Sequence, residues 1–266
     1  MNLTDLQLIK SPSAYRRVSY VISVAMMIAF VAAINRSNHT NDLQRVLKRG
    51  VLTILTTESA TTFFKKSGVC NGFEFLIAND FARNLGVELE VKTKNNFEEL
   101  KLALNAGEGN LIAANLTQTM LSQHLLDFSM PYHYVSEQLI YRREKPKPDT
   151  IIDLQGTMVL TNQPSFFVAQ IKDTQQDNPE LILINNPSLS NVDIIRVVHS
   201  NDNDFSITDS LSFNINRHIF HEVALGIEIS EKKPLSWGFL KNGDKSLLSI
   251  ADLFNNDFTA KKNRRN

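Results

Sequence analysis

The sequence predicts an α/β protein of two lobes, the second inserted into the first, and three features of the chain predict it. From Asp42 onward short apolar strands alternate with helical stretches, the order that builds sheets covered by helices. Leu111-Ile112-Ala113-Ala114, the polar residues Asn115 to Gln118, a short helix before Leu125-Leu126, and Asp127-Phe128-Ser129-Met130-Pro131-Tyr132 read in order as buried strand, ligand loop, helix and aromatic turn into a return strand, Val135 to Tyr141. Finally, Arg142 to Thr150 places two prolines among charged side chains, which no packed element accommodates, and Glu231-Lys232-Lys233-Pro234 punctuates the chain a second time, so the crossovers between lobes are expected near Arg143 to Pro148 and Ser230 to Pro234.

Each element has a local reason. Leu43, Val46 and Leu47 give a short helix ending at Gly50, and Val51 to Leu55 is a β-rich strand. Gly72 opens a helix whose apolar positions Phe73, Ile77, Phe81 and Leu85 recur at helical spacing, and Gly86 sits where a C-terminal cap belongs. Val87, Leu89 and Val91 alternate with Glu88, Glu90 and Lys92, the period of a half-buried strand. Asn96 followed by Glu99 reads as an N-terminal cap with a back-bonding glutamate, starting a helix that runs to Gly107. After the Arg142–Thr150 break a second set follows: strand Met158 to Leu160, helix near Phe166 to Thr174, strand Leu181 to Ile184, helix Val192 to His199, strand Phe205 to Ile207, a helix from Ser210, and strand Val223 to Ile229. Leu235 to Leu240 and a helix from Leu247 to Phe258 return to the first lobe. The expected organisation is an N-terminal segment 1–36, a first lobe of 42–142 with 234–258, a second lobe of 149–230, and a basic tail, 259–266.

Lys and Arg together number 28, as do Asp and Glu, so no strong field favours nucleic acid. Lys10, Arg16 and Arg17 precede the uncharged run Val18 to Ile34, which at 1.5 Å per residue reaches roughly 25 Å, the lower limit for a bilayer. This is export chemistry, either a cleaved signal or an uncleaved anchor, and it predicts a periplasmic protein with a possible seat at the membrane or cell wall. Cys70 is the single cysteine, which excludes an internal disulfide and a cysteine-rich metal site. No phosphate loop, nucleophile elbow or Cys-His arrangement occurs, His218 and His221 have no third ligand nearby, and neither cofactor, metal nor catalytic residue is expected.

Four segments in order carry a family resemblance: Lys48-Arg49-Gly50-Val51-Leu52, Gly72-Phe73-Glu74, Leu116 to Tyr132, and Ile207-Thr208-Asp209-Ser210. Together they resemble a family 3 solute-binding protein of the two-lobed periplasmic kind with type II topology. Within that superfamily, Ser136-Glu137-Gln138-Leu139-Ile140-Tyr141 and Lys233-Pro234-Leu235-Ser236-Trp237-Gly238-Phe239 are most similar to the N-terminal domain of the membrane-bound lytic transglycosylase F family. That family joins such a domain to a lysozyme-like domain that cleaves peptidoglycan with a catalytic glutamate. The present sequence, which ends in Lys261-Lys262-Asn263-Arg264-Arg265-Asn266, is expected to lack that domain and to be a non-catalytic sensor or regulatory module, the alternatives being a transporter-associated amino-acid-binding protein or a truncated transglycosylase.

The resemblance implies a small-molecule ligand, an amino acid, peptide or muropeptide, with candidate contacts at Thr117, Thr119, Ser122, Asp209, Trp237 and Glu58. Amino-acid-binding members hold the ligand carboxylate with an arginine about six residues before the Phe-Ser pair. Here Ser122 stands in that place, and a lost charge-assisted contact removes on the order of 1.5–3 kcal/mol from carboxylate recognition. Asp209 occupies the position that receives the ligand amino group in the family, and an aspartate there is equally suited to cap its own helix. Thr117 and Thr119 offer hydroxyls or turn chemistry. Trp237, the only tryptophan, can stack on a ligand or close the core. Glu58-Ser59 echoes a glutamate-serine pair of the transglycosylases, but follows a strand in the first lobe, so it carries no catalytic expectation.

Overall fold

A computed structural model of the chain describes residue 26 and residues 41–118, 120–162, 181–186 and 188–263, without the side chains of residues 120–122 and 262–263. Val46–Asn266 forms one compact unit. The apolar run Val18 to Ile34 and the helix expected near Phe166 to Thr174 lie outside the described residues. Among the described residues no helix is long and apolar enough to cross a membrane.

The first sheet begins after helix α1 (Asp42–Arg49). Strand β1 (Val51–Thr56) is buried along nearly its whole length and pairs in parallel with β4 (Glu88–Thr93) and β5 (Leu111–Ile112). Between them come the small antiparallel hairpin β2 (Phe64–Lys66) and β3 (Val69–Asn71), helix α2 (Phe73–Leu85) and helix α3 (Phe97–Asn105). Asn96 caps α3 by accepting from the Glu99 N–H at 3.0 Å, and the Glu99 carboxylate reaches back to the N–H of Asn95 at 3.1 Å, one residue before the expected partner. Gly86 ends α2 in a left-handed conformation. Leu55, Leu100, Ala103, Leu104, Ile112 and Leu126 form the core under α3.

Helix α4 (Met120–Leu125) leads into β6 (Leu126–Phe128), and the late strand β14 (Gly238–Leu240) lies antiparallel between β5 and β6. The first sheet therefore runs β4-β1-β5-β14-β6. The second repeats the scheme as β10-β9-β11-β8-β12, from β8 (Glu137–Arg142), β9 (Met158–Thr161), β10 (Ile182–Asn185), β11 (Phe205–Asp209) and β12 (Val223–Glu228). In both, three parallel strands are followed by one antiparallel strand supplied by the crossing chain, which is the type II two-lobed arrangement. Helices α5 (Asn191–His199) and α6 (Ser210–Asn216) cover one face of the second sheet, where Ile140, Ile194, Ile195, Val198, Phe213, Phe220 and Val223 pack together. Leu139, Tyr141, Leu154, Val159, Phe205 and Ile207 form a second cluster.

One boundary differs from the sequence reading, which ended the first lobe at residue 142. Strand β8 pairs with β11 and β12 and belongs to the second sheet. Its Leu139, Ile140 and Tyr141 are all buried, with Ile140 in one cluster and its two neighbours in the other, as a central strand requires. Arg142 to Thr150 is instead a loop of the second lobe, where the Arg143 N–H donates to the Glu222 carbonyl at 2.8 Å. The chain crosses at β7 (His133–Val135) and returns at β13 (Lys233–Leu235), two antiparallel strands in one ribbon. Helix α7 (Ser246–Asn263) then packs on the first lobe, with the Asn255 amide donating to the Met130 carbonyl at 2.9 Å.

Gly72 sets the entry to α2. Its φ of 131° is open only to glycine, and the helix has no side-chain cap; the carbonyls of Thr61 and Thr62 accept instead from the N–H groups of Glu74 and Phe75 at 3.1 and 3.0 Å. A Cβ at Gly72 would lie 2.3 Å from the Thr62 oxygen. Gly72→Ala is expected to cost about 2–4 kcal/mol from strain and overpacking, measured by denaturant unfolding against Gly86→Ala, whose Cβ meets nothing within 4 Å.

Candidate functional site

A cavity of about 170 Å³ opens between the two sheets. Parallel strands aim their carboxyl ends at it, the place where open α/β sheets hold ligands: Asn115 and Thr117 follow β5, Thr161 and Asn162 end β9, and Thr208 and Asp209 end β11. Ser136, Glu137 and Lys233 from the two crossings and Asn191 at the start of α5 complete the polar lining, and Val135, Ile207, Leu211 and Leu235 supply apolar wall.

Asp209 is the most constrained of these. As the N-cap of α6 it accepts from the Ser212 N–H at 2.8 Å, while its other oxygen accepts from the Ser212 hydroxyl at 2.5 Å and the Asn191 amide at 2.5 Å. Burial raises its carboxyl above the usual range, and the Ser212 bonds oppose that rise. The side chain is thus both a helix cap and a wall of the cleft. On the neighbouring strand Glu137 is in register with Asp209, and its Oε1 lies 3.2 Å from Lys233, joining the two crossings.

Among the described residues, half of the buried side-chain polar atoms without a hydrogen-bond partner lie here. Asn115 Oδ1, Asn162 Oδ1, Glu137 Oε2 and Thr208 Oγ1 are buried without one, and all four belong to cleft-lining residues. Both asparagine amides donate elsewhere, Asn115 to Thr61 Oγ1 at 2.6 Å and Asn162 to Asn191 Oδ1 at 2.7 Å and the Leu189 carbonyl at 3.0 Å. Those bonds leave the carbonyl ends as the unmatched groups, so the cleft has an excess of acceptors and is chemically suited to a ligand that brings N–H donors. Lys233 is the only cationic side chain among its described lining residues.

Beneath the cleft floor lies a group that the sequence reading missed. Glu74, in the first turn of α2, is fully buried. Its Oε1 accepts from the Tyr132 hydroxyl at 2.7 Å and its Oε2 from the Asn115 N–H at 2.6 Å. Burial pushes the carboxyl from 4.5 to about 8 against the pull of both bonds. Burial also raises the Tyr132 hydroxyl well above its ordinary value, helped by the Glu74 charge. The sequence signal was present, an acid directly after Gly72-Phe73, but an acid in a first helical turn ordinarily faces water.

Of the sequence candidates, Thr117 and Asp209 line the cleft. Thr119 lies outside the described residues, and Ser122 falls on α4 with its side chain outside them. Trp237 is a correction: it is fully buried, with ring centroids 5.2 Å from Phe81 and 5.8 Å from Tyr132, and it fills the core of the first lobe. Glu58 is a second: exposed in the loop after β1, it is not among the lining residues. Asn115, Asn162, Asn191, Glu137 and Lys233 join the site only in the folded chain.

Residues 52–263 match the family model of bacterial extracellular solute-binding proteins, family 3. The chain is similar to membrane-bound lytic murein transglycosylase F of Saccharophagus degradans, 29% identical over 256 residues, covering 96% of this chain and 51% of the relative. The same-named protein of Cellvibrio japonicus is 29% identical over 245 residues, covering 92% and 50%. The chain spans about half the length of the curated relatives it matches. Among solved structures, an ancestral cationic amino acid solute-binding protein aligns with TM-score 0.69 at 21% identity, over 82% of this chain and 94% of that one. The arginine-bound form of ArgBP from T. maritima aligns with TM-score 0.60 at 19% identity, over 80% and 98%. These likenesses show the two-lobed fold.

Because the folded Glu74 carboxyl titrates at about 8 and the unfolded one at 4.5, the folded state holds the extra proton between those values. Stability contributed by this group is full below about pH 4.5 and is lost as pH rises toward 8, at roughly 1.4 kcal/mol per pH unit. Glu74→Gln, which cannot ionise, is expected to remove that slope, as read from denaturant midpoints across the interval.

Proposed function

This chain belongs to the family 3 bacterial extracellular solute-binding proteins, and from that premise we propose that its cleft captures a small polar solute bearing an amino group, with the lobes closing on it about the β7–β13 ribbon. The observation that carries this reading is the cleft's chemistry: buried acceptors without protein partners on Asn115, Asn162 and Glu137 beside the Asp209 carboxylate. A ligand ammonium or amide supplies the donors these atoms lack, and closure removes competing water. An amino acid, a short peptide or a muropeptide meets the requirement. The absence of an arginine from the described lining favours ligands whose recognition does not depend on a free α-carboxylate.

The relatives extend the proposal to context. The curated proteins that this chain resembles are lytic murein transglycosylases. A solute-binding module of that lineage acts most simply as a non-catalytic sensor or regulatory domain at the cell wall, on the outer side of the inner membrane, reporting soluble cell-wall fragments.

A thermal-shift screen of the protein against amino acids, short peptides and muropeptides tests this reading. A ligand at a hundred times its Kd adds roughly 2.7 kcal/mol to stability. Asp209→Ala is expected to cost about 1 kcal/mol through the lost cap and to abolish the ligand-induced shift. A variant that loses the cap energy yet keeps every shift would restrict Asp209 to capping, and a folded wild-type protein unmoved by all three classes would remove the binding function itself.

A further inference from the structure

Glu74 stands outside the cleft; one of its bonds ends at the cleft-lining Asn115 and the other at Tyr132 in the core. The residue it grips, Asn115, has a left-handed backbone with φ of 52°, is a cleft-lining residue, and places its amide on Thr61 of the loop after β1. That loop in turn is tied to α2, because the Glu74 N–H donates to the Thr61 carbonyl at 3.1 Å. One buried side chain thus closes a ring of contacts through α2, the Thr61 loop and the ligand loop. A non-glycine residue in the left-handed region is held there by its surroundings, and the shortest backbone contact holding Asn115 is its 2.6 Å bond to Glu74.

We propose that Glu74 is the positioning residue of the ligand cleft, a proton-operated latch that fixes Asn115 from inside the core and changes its grip on that residue when the carboxyl gains or loses its proton. With the proton absent, the Tyr132 hydroxyl and the Asn115 N–H both donate to a charged acceptor, and the backbone bond is charge-assisted. With the proton present, Oε1–H donates to the Tyr132 oxygen, the direction of that 2.7 Å bond reverses, and Asn115 keeps only a neutral acceptor. Burial places the exchange near neutral to mildly alkaline pH. Tyr132 is the titratable group bonded to Glu74; on the adjoining loops Glu58 is exposed and His133 lies against the Phe73 ring at 5.3 Å. Among the described ion pairs no lysine or arginine reaches Glu74, so the Tyr132 and Asn115 bonds alone oppose the rise that burial imposes.

The consequence for binding rests on the proposed function, but the latch can be read without a ligand. In the ¹⁵N-labelled protein, the Asn115 amide proton is expected to move downfield as pH rises from about 6 to about 9.5, with its midpoint near 8, and Trp237 emission to follow through the adjacent Tyr132 ring. Glu74→Gln, whose carboxamide accepts from Asn115 and donates to Tyr132, is expected to hold the Asn115 resonance at its low-pH position throughout. Should that variant not fold, Tyr132→Phe removes one bond that favours the charged form, and the midpoint is expected to rise. An Asn115 amide that does not titrate, or that titrates equally in Glu74→Gln, overturns the latch. A titrating Asn115 in a protein that binds none of the screened solutes keeps the latch and removes only its link to ligand capture.

Discussion

The chain must pass between two sheets and come back, and it does both in one antiparallel ribbon, β7 against β13. Everything else in the arrangement follows from that constraint. Because the outgoing segment continues into β8 and the returning one into β14, each sheet receives its single antiparallel strand from a crossing. Each of those strands then separates the parallel strands from the last one, and the carboxyl ends of β5, β9 and β11 are left facing the space beside the ribbon. The cleft is not an addition to the fold. It is the region where loops leaving the two parallel sets meet the crossing segments.

Two carboxyl groups, half-buried Asp209 in the cleft wall and fully buried Glu74 beneath it, are raised by the same force and treated differently. Asp209 loses water but gains three donors from its own lobe, Ser212 twice and Asn191 once. Its orientation is settled before any ligand arrives, which lowers the ordering cost of recognition. Glu74 has two donors, from Tyr132 and Asn115, and neither is a charged partner. Desolvation therefore wins, and the neutral acid is favoured where a surface glutamate would be ionised. Burying an acid in this way opposes stability at neutral pH, and the return is a direct connection from the core to the ligand loop.

Much of this was legible locally. Gly72 and Gly86 bracket α2, Asn96 with Glu99 marks the start of α3, and alternation from Val87 to Lys92 marks β4, because caps and half-buried strands are decided by residues within a few positions of each other. Sheet membership is not so decided. Leu139-Ile140-Tyr141 reads as a strand in either lobe, and only pairing with residues 205–209 and 223–228 assigns it to the second. The same limit governs the site. Asp209 was visible as an acid at a strand-helix junction and Thr117 as part of a polar loop, whereas Glu74 becomes a core acid only through Tyr132 and Asn115, 58 and 41 positions away. Trp237 gave no local signal to separate a stacking platform from a core filler; the neighbouring Phe81 and Phe254 rings decide for the core.

Glu137 and Lys233 connect recognition to the ribbon itself. Each lies at the edge of one crossing, they pair with each other at 3.2 Å, and the second oxygen of Glu137 is buried with no partner among the described residues. On the proposed reading, a ligand donor that satisfies this oxygen touches the two segments about which the lobes would move, rather than a loop remote from them. Charge on a crossing segment has to be matched in every arrangement of the lobes, because a buried carboxylate left alone is costly. The Lys233 pairing supplies that match internally, since both partners belong to the ribbon and its continuation and need not separate when the sheets move apart. A ligand then adds the bond that the ion pair leaves open, and only in the arrangement that brings the Asn115 and Asp209 walls to it at the same time. Differential contact of that kind is what allows a small molecule to shift a conformational equilibrium.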